Sequence, residues 1–325
     1  MHPMDCLISD WTRISQHDKR IDQNALHLEF LGTWHYSQYR PFPEQPPFWD
    51  RLYQWLDHIP NAGSTRRQRN RRRADQQALF NFVPWLLFVA EEDLIAMYRA
   101  AYTGHICRWL LDMAGVSVTH PAINDELDKA RQATWFGSLA GMDINMFCRV
   151  NGVFGQSYRP EFRFLAEFCD MQSLALWLKR HKYERIVIVE DIVGTGDQLC
   201  DAAGAIKEMH DFKVLFVPLF IAPEGDVFAS QLFSESEFQH VSYDPLFVLP
   251  GDCVVRSNPE PQECTEFTEF RKVNAAHNNG DLGFGGDYGT LVLTFANCPD
   301  NVPPIIHEHS SSRPCPLFRR ASREG

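Results

Sequence analysis

Two unbroken apolar runs, "RIVIV" at 185–189 and "KVLFVPLFIA" at 213–222, do most to limit the fold. They flank "QLCDAAGAIKEMH" (198–210), whose apolar residues recur at helical spacing. A strand with one wet face alternates apolar and polar side chains, whereas a strand covered on both faces has no such need. The pattern therefore predicts βα units and a mostly parallel central sheet flanked by helices, an α/β fold. "ATWFGSL" (133–139) reads as a further strand and "LALWLKRH" (174–181) as a further helix. Pro218 is expected to confine its run to an edge or a bulge, because it cannot donate to a ladder. Upstream, "EEDLIAMYRAAYTGHICRWLLDM" (91–113) carries Leu94, Met97, Tyr98, Ala101, Tyr102, Ile106, Trp109, Leu110 and Met113 at three- and four-residue steps, one amphipathic helix that Gly115 can stop.

The chain has 325 residues, enough for one large α/β domain or two ordinary ones. Its nine cysteines include no CxxC pair, which points to a reducing compartment and a cytoplasmic location. Membrane insertion is not expected: "LFNFVPWLLFVA" (79–90) is shorter than the roughly 18 apolar residues of a span and contains Pro84. A net charge of −11 argues against a protein that coats nucleic acid nonspecifically. "RRQRNRRR" (66–73), with six arginines in eight positions beside Asn61, Gly63 and Ser64, departs locally from that average. It reads as a solvated loop or helix start, or as a contact for phosphate or another acidic partner.

In parallel sheets, sites lie beyond the carboxyl ends of the strands. There the sequence "VIVEDIVGTGDQL" (187–199) places Glu190 and Asp191 after the apolar run and before a glycine turn. Glycines let a backbone approach a ligand, and amides near a helix start converge on phosphate. Val193, Gly194, Thr195, Gly196, Asp197 and Gln198 form the candidate phosphate loop, with Thr195 adding a hydroxyl donor. The two carboxylates suit the hydroxyls of a neighbouring sugar, so ribose 5-phosphate matches the whole stretch. A P-loop requires a lysine that this segment lacks. A dinucleotide fingerprint requires its glycines first and its acid later.

"IVIVEDIVGTGDQL" resembles the phosphoribosyl diphosphate (PRPP) motif of type I phosphoribosyltransferases: strand, two acids, two apolar residues, Thr-Gly loop. The resemblance assigns Glu190 and Asp191, as the catalytic pair, to the ribose 2′ and 3′ hydroxyls. It assigns residues 193–198 to the 5′-phosphate. Gln198 departs from the Thr or Ser that closes this loop in many members. "GTGDQ", together with "GFGGDYGTLVLTFANCPDNVPPII" (283–306) and "PLFRR" (316–320), is similar to a divergent phosphoribosyltransferase-like branch of bacterial conflict systems. That branch includes proteins encoded beside retron reverse transcriptases, and the likeness spans roughly residues 80 to 320.

What the resemblance implies is an effector of anti-phage defence that binds PRPP, as a transferase to an acceptor or as a PRPP hydrolase. The alternative is a catalytically inactive PRPP or nucleotide sensor, or a regulatory subunit held by a nucleoprotein. Mg²⁺ is the expected cofactor, bound largely through the substrate, with no dedicated protein metal site. Ser138, Leu139, Ala140 and Gly141 of "SLAGMD" are candidates for a diphosphate loop, with Arg149 and Arg159 downstream. Phe284, Tyr288, Asn297, Asp300 and Asn301 are candidates for an acceptor hood, in which the glycines around them form a pliable turn. A reverse transcriptase–nucleic acid complex is a candidate partner for the Arg66–Arg73 cluster.

The expected organisation is an N-terminal helical extension (1–75), an α/β domain (76–310) with the hood at 280–305, and a basic, mobile C-terminal tail (311–325). The alternative is that Arg319 and Arg320 pair with acids of the body. Cys298, His307, His309 and Cys315 match no common zinc-finger spacing. His120, His181, His210 and His277 read as surface or helix-end residues.

Overall fold

A computed structural model describes residues 2–14, 19–42, 44–59, 65–156, 159, 161–168, 170–258, 263–309 and 314–321. The turn expected at Asn61, Gly63 and Ser64 lies outside the described residues. The chain divides into two compact units, residues 1–91 with 251–325, and residues 92–250.

The first unit opens with helices α1 (Pro3–Ile14), α2 (Arg20–Trp34), α3 (Phe48–Asp57) and α4 (Arg66–Phe82), followed by strand β1 (Leu87–Val89). The arginine cluster is the start of α4. Thr65 and Gln68 form a capping box there, each side chain closing the other's free backbone N–H. Arg72 and Arg73 turn inward, pairing with Asp57 at 2.6 Å and Asp10 at 2.8 Å. Arg66, Arg67, Arg69 and Arg71 remain exposed. The first turn contains no acid, so these cations sit at the positive end of the helix dipole, which opposes helix formation.

The second unit runs through α5 (Glu91–Ala100), α6 (Cys107–Ala114), α7 (Ile123–Gln132), β2 (Thr134–Ser138), α8 (Ile144–Val150), α9 (Phe162–Phe168) and α10 (Met171–Arg180). It continues through β3 (Arg185–Val193), α11 (Asp197–Glu208), β4 (Lys213–Ile221), α12 (Pro223–Ser234), β5 (Val241–Tyr243) and β6 (Phe247–Val248). The single helix expected over 91–113 is interrupted by a π-helical stretch, Ala101–Ile106, before Gly115 ends it at φ +66°.

Strands β2, β3, β4 and β5 lie side by side in that order, every pair parallel, and β6 also pairs with β4. Trp135, Ile186, Ile188, Val214 and Phe216 share one core with Leu165, Leu178, Ala202, Ile206 and Ala229 of the connecting helices α9 to α12. Side chains alternate along a strand, so Val187, Val189, Leu215 and Val217, all buried, belong to the opposite face. That double burial is why these strands read as continuous apolar runs.

Pro218 is not on an edge strand. β4 is flanked by β3 on one side and by β5 and β6 on the other, and Pro218 falls where that second neighbour changes, between Phe216↔Tyr243 and Phe220↔Phe247. Its carbonyl still accepts from the Leu246 N–H at 2.9 Å. A residue's N–H and C=O point the same way in a parallel strand, so the N–H that proline lacks would face this break.

The chain then returns to the first unit with β7 (Val254–Arg256), α13 (Thr265–His277), β8 (Tyr288–Thr290), β9 (Val292–Thr294) and α14 (Pro304–His307). β1 pairs with β9 in parallel, and β7 with β8 antiparallel. The N-terminal helices and these later elements share one core: Trp11 packs on Phe80 at 5.3 Å between ring centroids, and Phe82 stacks on Phe270 at 3.7 Å. His277 does end α13, but it is buried against Asp75 of α4 at 3.0 Å. The tail is anchored as far as it is described. Leu317 and Phe318 are fully buried, Tyr39 Oη donates to the Arg319 carbonyl at 2.6 Å, and Arg320 pairs with Asp300 at 3.2 Å. Residues 322–325 lie outside the described residues.

Cys298 is buried and His307 nearly so; the His307 Nε2–H donates to the Val302 carbonyl at 3.0 Å. Burial pushes the His307 pKa down to about 4, with Arg320 adding to the shift and Asp300 and Asp281 opposing it. In the unfolded chain this imidazole takes its proton near pH 6.5. Stability is therefore lost as pH falls from there through about 4. Replacing His307 with Gln should cost stability at pH 7, yet flatten the decline between pH 7 and pH 4 by on the order of 3 kcal/mol in urea titrations. An unchanged decline would contradict burial of a neutral imidazole.

Candidate functional site

In the second unit the chemistry gathers at the carboxyl ends of β2, β3 and β4. β3 runs past both acids, with Glu190 level with Pro218, Ile192 with Phe220 and Val193 with Ile221. Neighbouring side chains on a strand point to opposite faces, and the two acids are correspondingly unlike. Glu190 is 1 % exposed, and its Oε2 accepts from the Ala140 N–H at 2.6 Å. Asp191 is half-buried, its Oδ1 accepting from the Ile192 N–H at 2.8 Å.

The glycine loop follows at once. Val193 is buried and its carbonyl accepts from Ala222 N–H at 2.9 Å, which ties the end of β3 to the entry of α12. Gly196 caps α11 at φ +98°, a region L side chains rarely adopt, and no side chain closes the helix start. The leading amides of α11 therefore face outward with the positive end of its dipole. Thr195 Oγ1 is buried and has no hydrogen-bond partner among the described residues. Asp197 is exposed in the first turn and Gln198 half-buried.

Helix α12 holds this loop in shape. A Cβ at Gly225 would lie 2.3 Å from the Gly194 carbonyl oxygen, and one at Gly196 would lie 2.5 Å from the Phe228 ring. Glycine at these positions answers to close packing as well as to backbone angle. Sequence reading did not single out Gly225 or Phe228, because nothing local distinguishes a glycine that packs under a distant loop.

The 138–141 stretch lies beside Glu190 but has few donors left. Ser138 and Leu139 are fully buried, the Leu139 N–H is bonded to Val189 O at 3.3 Å, and the Ala140 N–H belongs to Glu190. Ser138 Oγ has no partner among the described residues, and Gly141 sits at φ +79°. The start of α8 is closed by Asp143, whose Oδ1 accepts from Asn145 N–H and Met146 N–H at 3.1 Å each. The helix start that follows the candidate diphosphate loop is thus occupied by the chain's own carboxylate. Arg159 is bonded to Asn145 Oδ1 at 2.8 Å and to Val153 O at 3.0 Å, while Arg149 is exposed.

Tyr98 of α5 lies within electrostatic reach of the acidic strand end. It is 2 % exposed, and burial raises its pKa well above the ordinary value; the charges of Asp191, Asp143 and Glu190 push in the same direction. Its phenol consequently stays protonated and can donate a hydrogen bond at neutral pH. In the sequence, Tyr98 merges into an apolar helical stripe, and Asp143 reads only as a residue after a turn. Among the described residues no three His, Cys, Asp or Glu side chains are grouped to hold a metal ion.

The hood candidates belong to the first unit. Asn301 is buried and bonded to Thr290 through both its side chain (2.9 Å) and its carbonyl (2.7 Å). Asn297 Oδ1 accepts from Cys298 N–H at 2.9 Å and Ala321 N–H at 3.0 Å, and Asp300 pairs with Arg320. Tyr288 is buried beneath Arg256, 5.6 Å from its ring centroid, whereas Phe284 is half-buried. Gly289 serves tight packing, since a Cβ there would lie 2.1 Å from the Leu282 carbonyl.

The Gly225 contact yields a direct expectation. Gly225→Ala forces α12 or the 194–196 turn to move and should destabilise the protein by about 1 to 3 kcal/mol. A thermal or denaturant midpoint equal to that of the unaltered protein would show that the approach is not tight.

No curated protein and no solved structure matches the chain. Residues 66–320 match the model of the PRTase-CE family, phosphoribosyltransferases of conflict systems. That match covers most of the 325 residues and spans the parallel sheet, the acidic strand end and the glycine loop just described. The chain therefore belongs to the PRTase-CE family.

Proposed function

We propose that this protein binds PRPP as a defence effector, with the 5′-phosphate on the 193–198 loop and the ribose hydroxyls at Asp191. The observation that carries the reading is the uncapped start of α11, opened by Gly196 at positive φ beside the unpartnered Thr195 hydroxyl and directly downstream of Asp191. An amide-rich turn with a free hydroxyl suits a phosphate dianion. A half-exposed carboxylate suits a diol. Glu190 supports the site from behind by bonding the 138–141 loop, and the Tyr98 phenol supplies a buried donor among the carboxylates.

Transfer breaks the bond from ribose C1 to the diphosphate oxygen and forms one from C1 to an acceptor, whose proton leaves; with water as acceptor the outcome is hydrolysis. No covalent nucleophile is required. Asp191 and the loop hold the ribose still while positive charge develops at C1. Mg²⁺ would neutralise the departing diphosphate while taking most of its shell from substrate and water, with at most the half-exposed Asp191 carboxylate contributing from the protein. Phe284, Tyr288, Asn297, Asp300 and Asn301 stay as acceptor candidates, of which Phe284 is the least committed to contacts within the chain.

One observation favours a second reading, a PRPP or nucleotide sensor without turnover. On the diphosphate side, the amides of Leu139 and Ala140 are already bonded and Asp143 closes α8. A nucleoprotein partner, such as a reverse transcriptase complex, fits the exposed arginines of α4. With Arg66, Arg67 and Arg71 changed to Ala, salt-sensitive association with such a complex should weaken.

Calorimetry with PRPP and Mg²⁺, followed by measurement of released diphosphate, separates the two readings. The unaltered protein should bind saturably. Thr195→Val should weaken binding about tenfold through loss of one hydrogen bond to a charged group. Asp191→Asn should reduce both binding and any diphosphate release. Binding that neither substitution alters would remove the assignment.

A further inference from the structure

The first unit contains a buried guanidinium without a counter-ion. Arg51 of α3 is 5 % exposed. Its Nη1 donates to Gln45 Oε1 and to the Leu317 carbonyl, and its Nη2 to the Tyr36 carbonyl, each at 3.0 Å. The rings of Phe318, Tyr39 and Phe48 lie 5.3, 5.9 and 5.9 Å away. All of these groups are neutral, and among the described residues no carboxylate pairs with Arg51. Burial lowers its pKa to about 10, so the charge persists at neutral pH. Arg51 Nε and Gln45 Nε2 are both buried without an acceptor among the described residues. A buried cation of this kind is costly unless something compensates it.

Arg51 and Gln45 line a cavity of about 600 Å³ whose walls include the rings of Tyr39, Phe48 and Trp49. Arg40 lines it as well, and that residue's 2.8 Å pair with Glu91 is solvent-exposed. An exposed pair contributes little, so Arg40 is readily redirected toward a ligand. Two guanidiniums, a side-chain amide with a spare donor and several ring faces occupy one concavity of ligand size. The segment that builds it, residues 32–51, lies before residue 66, where the family match begins.

We propose that this cavity binds a small molecule that joins a planar ring to an oxyanion, either a phosphate ester or a carboxylate. The oxyanion lies toward Arg51 and Arg40, and the ring lies against Phe48 and Trp49. The site is independent of the PRPP reading, since every residue in it belongs to the first unit.

The test titrates the full chain with phenyl phosphate, 4-hydroxybenzoate, phenol and inorganic phosphate, none of which carries a ribose, following tryptophan fluorescence and heat. At least one ring-bearing anion should bind with a Kd below about 1 mM, and phenol and inorganic phosphate at least about tenfold more weakly. Which of the two anions binds distinguishes a phosphate source from a carboxylate source. Thr33 is exposed at the cavity rim, so Thr33→Trp fills the space without touching the core. It should weaken binding at least about tenfold, whereas Gly225→Ala, which alters the phosphate loop, should leave binding unchanged. Arg51→Met should match Thr33→Trp wherever it folds. Absence of binding by both ring-bearing anions, binding that survives Thr33→Trp, loss of binding on Gly225→Ala, or equal affinity for inorganic phosphate would overturn the proposal.

Discussion

The contact between Gly225 and the Gly194 carbonyl sets the geometry of the candidate site. α12 starts immediately after β4, and its entry is already bonded to Val193, so the helix has little freedom to retreat. Any side chain at 225 would push on the turn that must present the amides of α11. Phe228, one turn further along, covers Gly196 and restrains the only residue of that turn with a positive φ. A loop whose conformation is imposed by a neighbouring helix is preorganised, and preorganisation reduces the entropy cost of seating an anion.

Electrostatics divide the sheet end into two unlike halves. At β3 the helix start is open, with a free hydroxyl beside it. At β2 the corresponding helix start is closed by Asp143, and the loop amides are bonded to Glu190 and Val189. The negative charges of Asp191, Asp143 and Glu190 are felt by the buried Tyr98 and add to the acidic character of this half.

Much of this was legible in the sequence because the determinants are local. Double burial of β3 and β4 leaves continuous apolar runs, and the Gly-Thr-Gly turn follows the acids directly. What stayed hidden depends on partners far along the chain. Tyr98 looks like core until three carboxylates are brought beside it. Gly225 looks like an ordinary glycine until the Gly194 carbonyl arrives. The missing donor of Pro218 points to an edge or a bulge; the structure meets the same requirement in mid-sheet, where the neighbouring strand changes. The tail looked mobile from its charge, yet Leu317 and Phe318 seal the core of the first unit. The arginine run also divides in a way no composition shows, with two side chains pairing inward and the others facing solvent.

The most direct measurement is a crystal structure of the full chain grown with PRPP and Mg²⁺. The account places the 5′-phosphate against the amides and hydroxyl of residues 195–198, with a ribose hydroxyl on Asp191. Electron density for the ligand elsewhere, with that turn empty at saturating concentration, would contradict it.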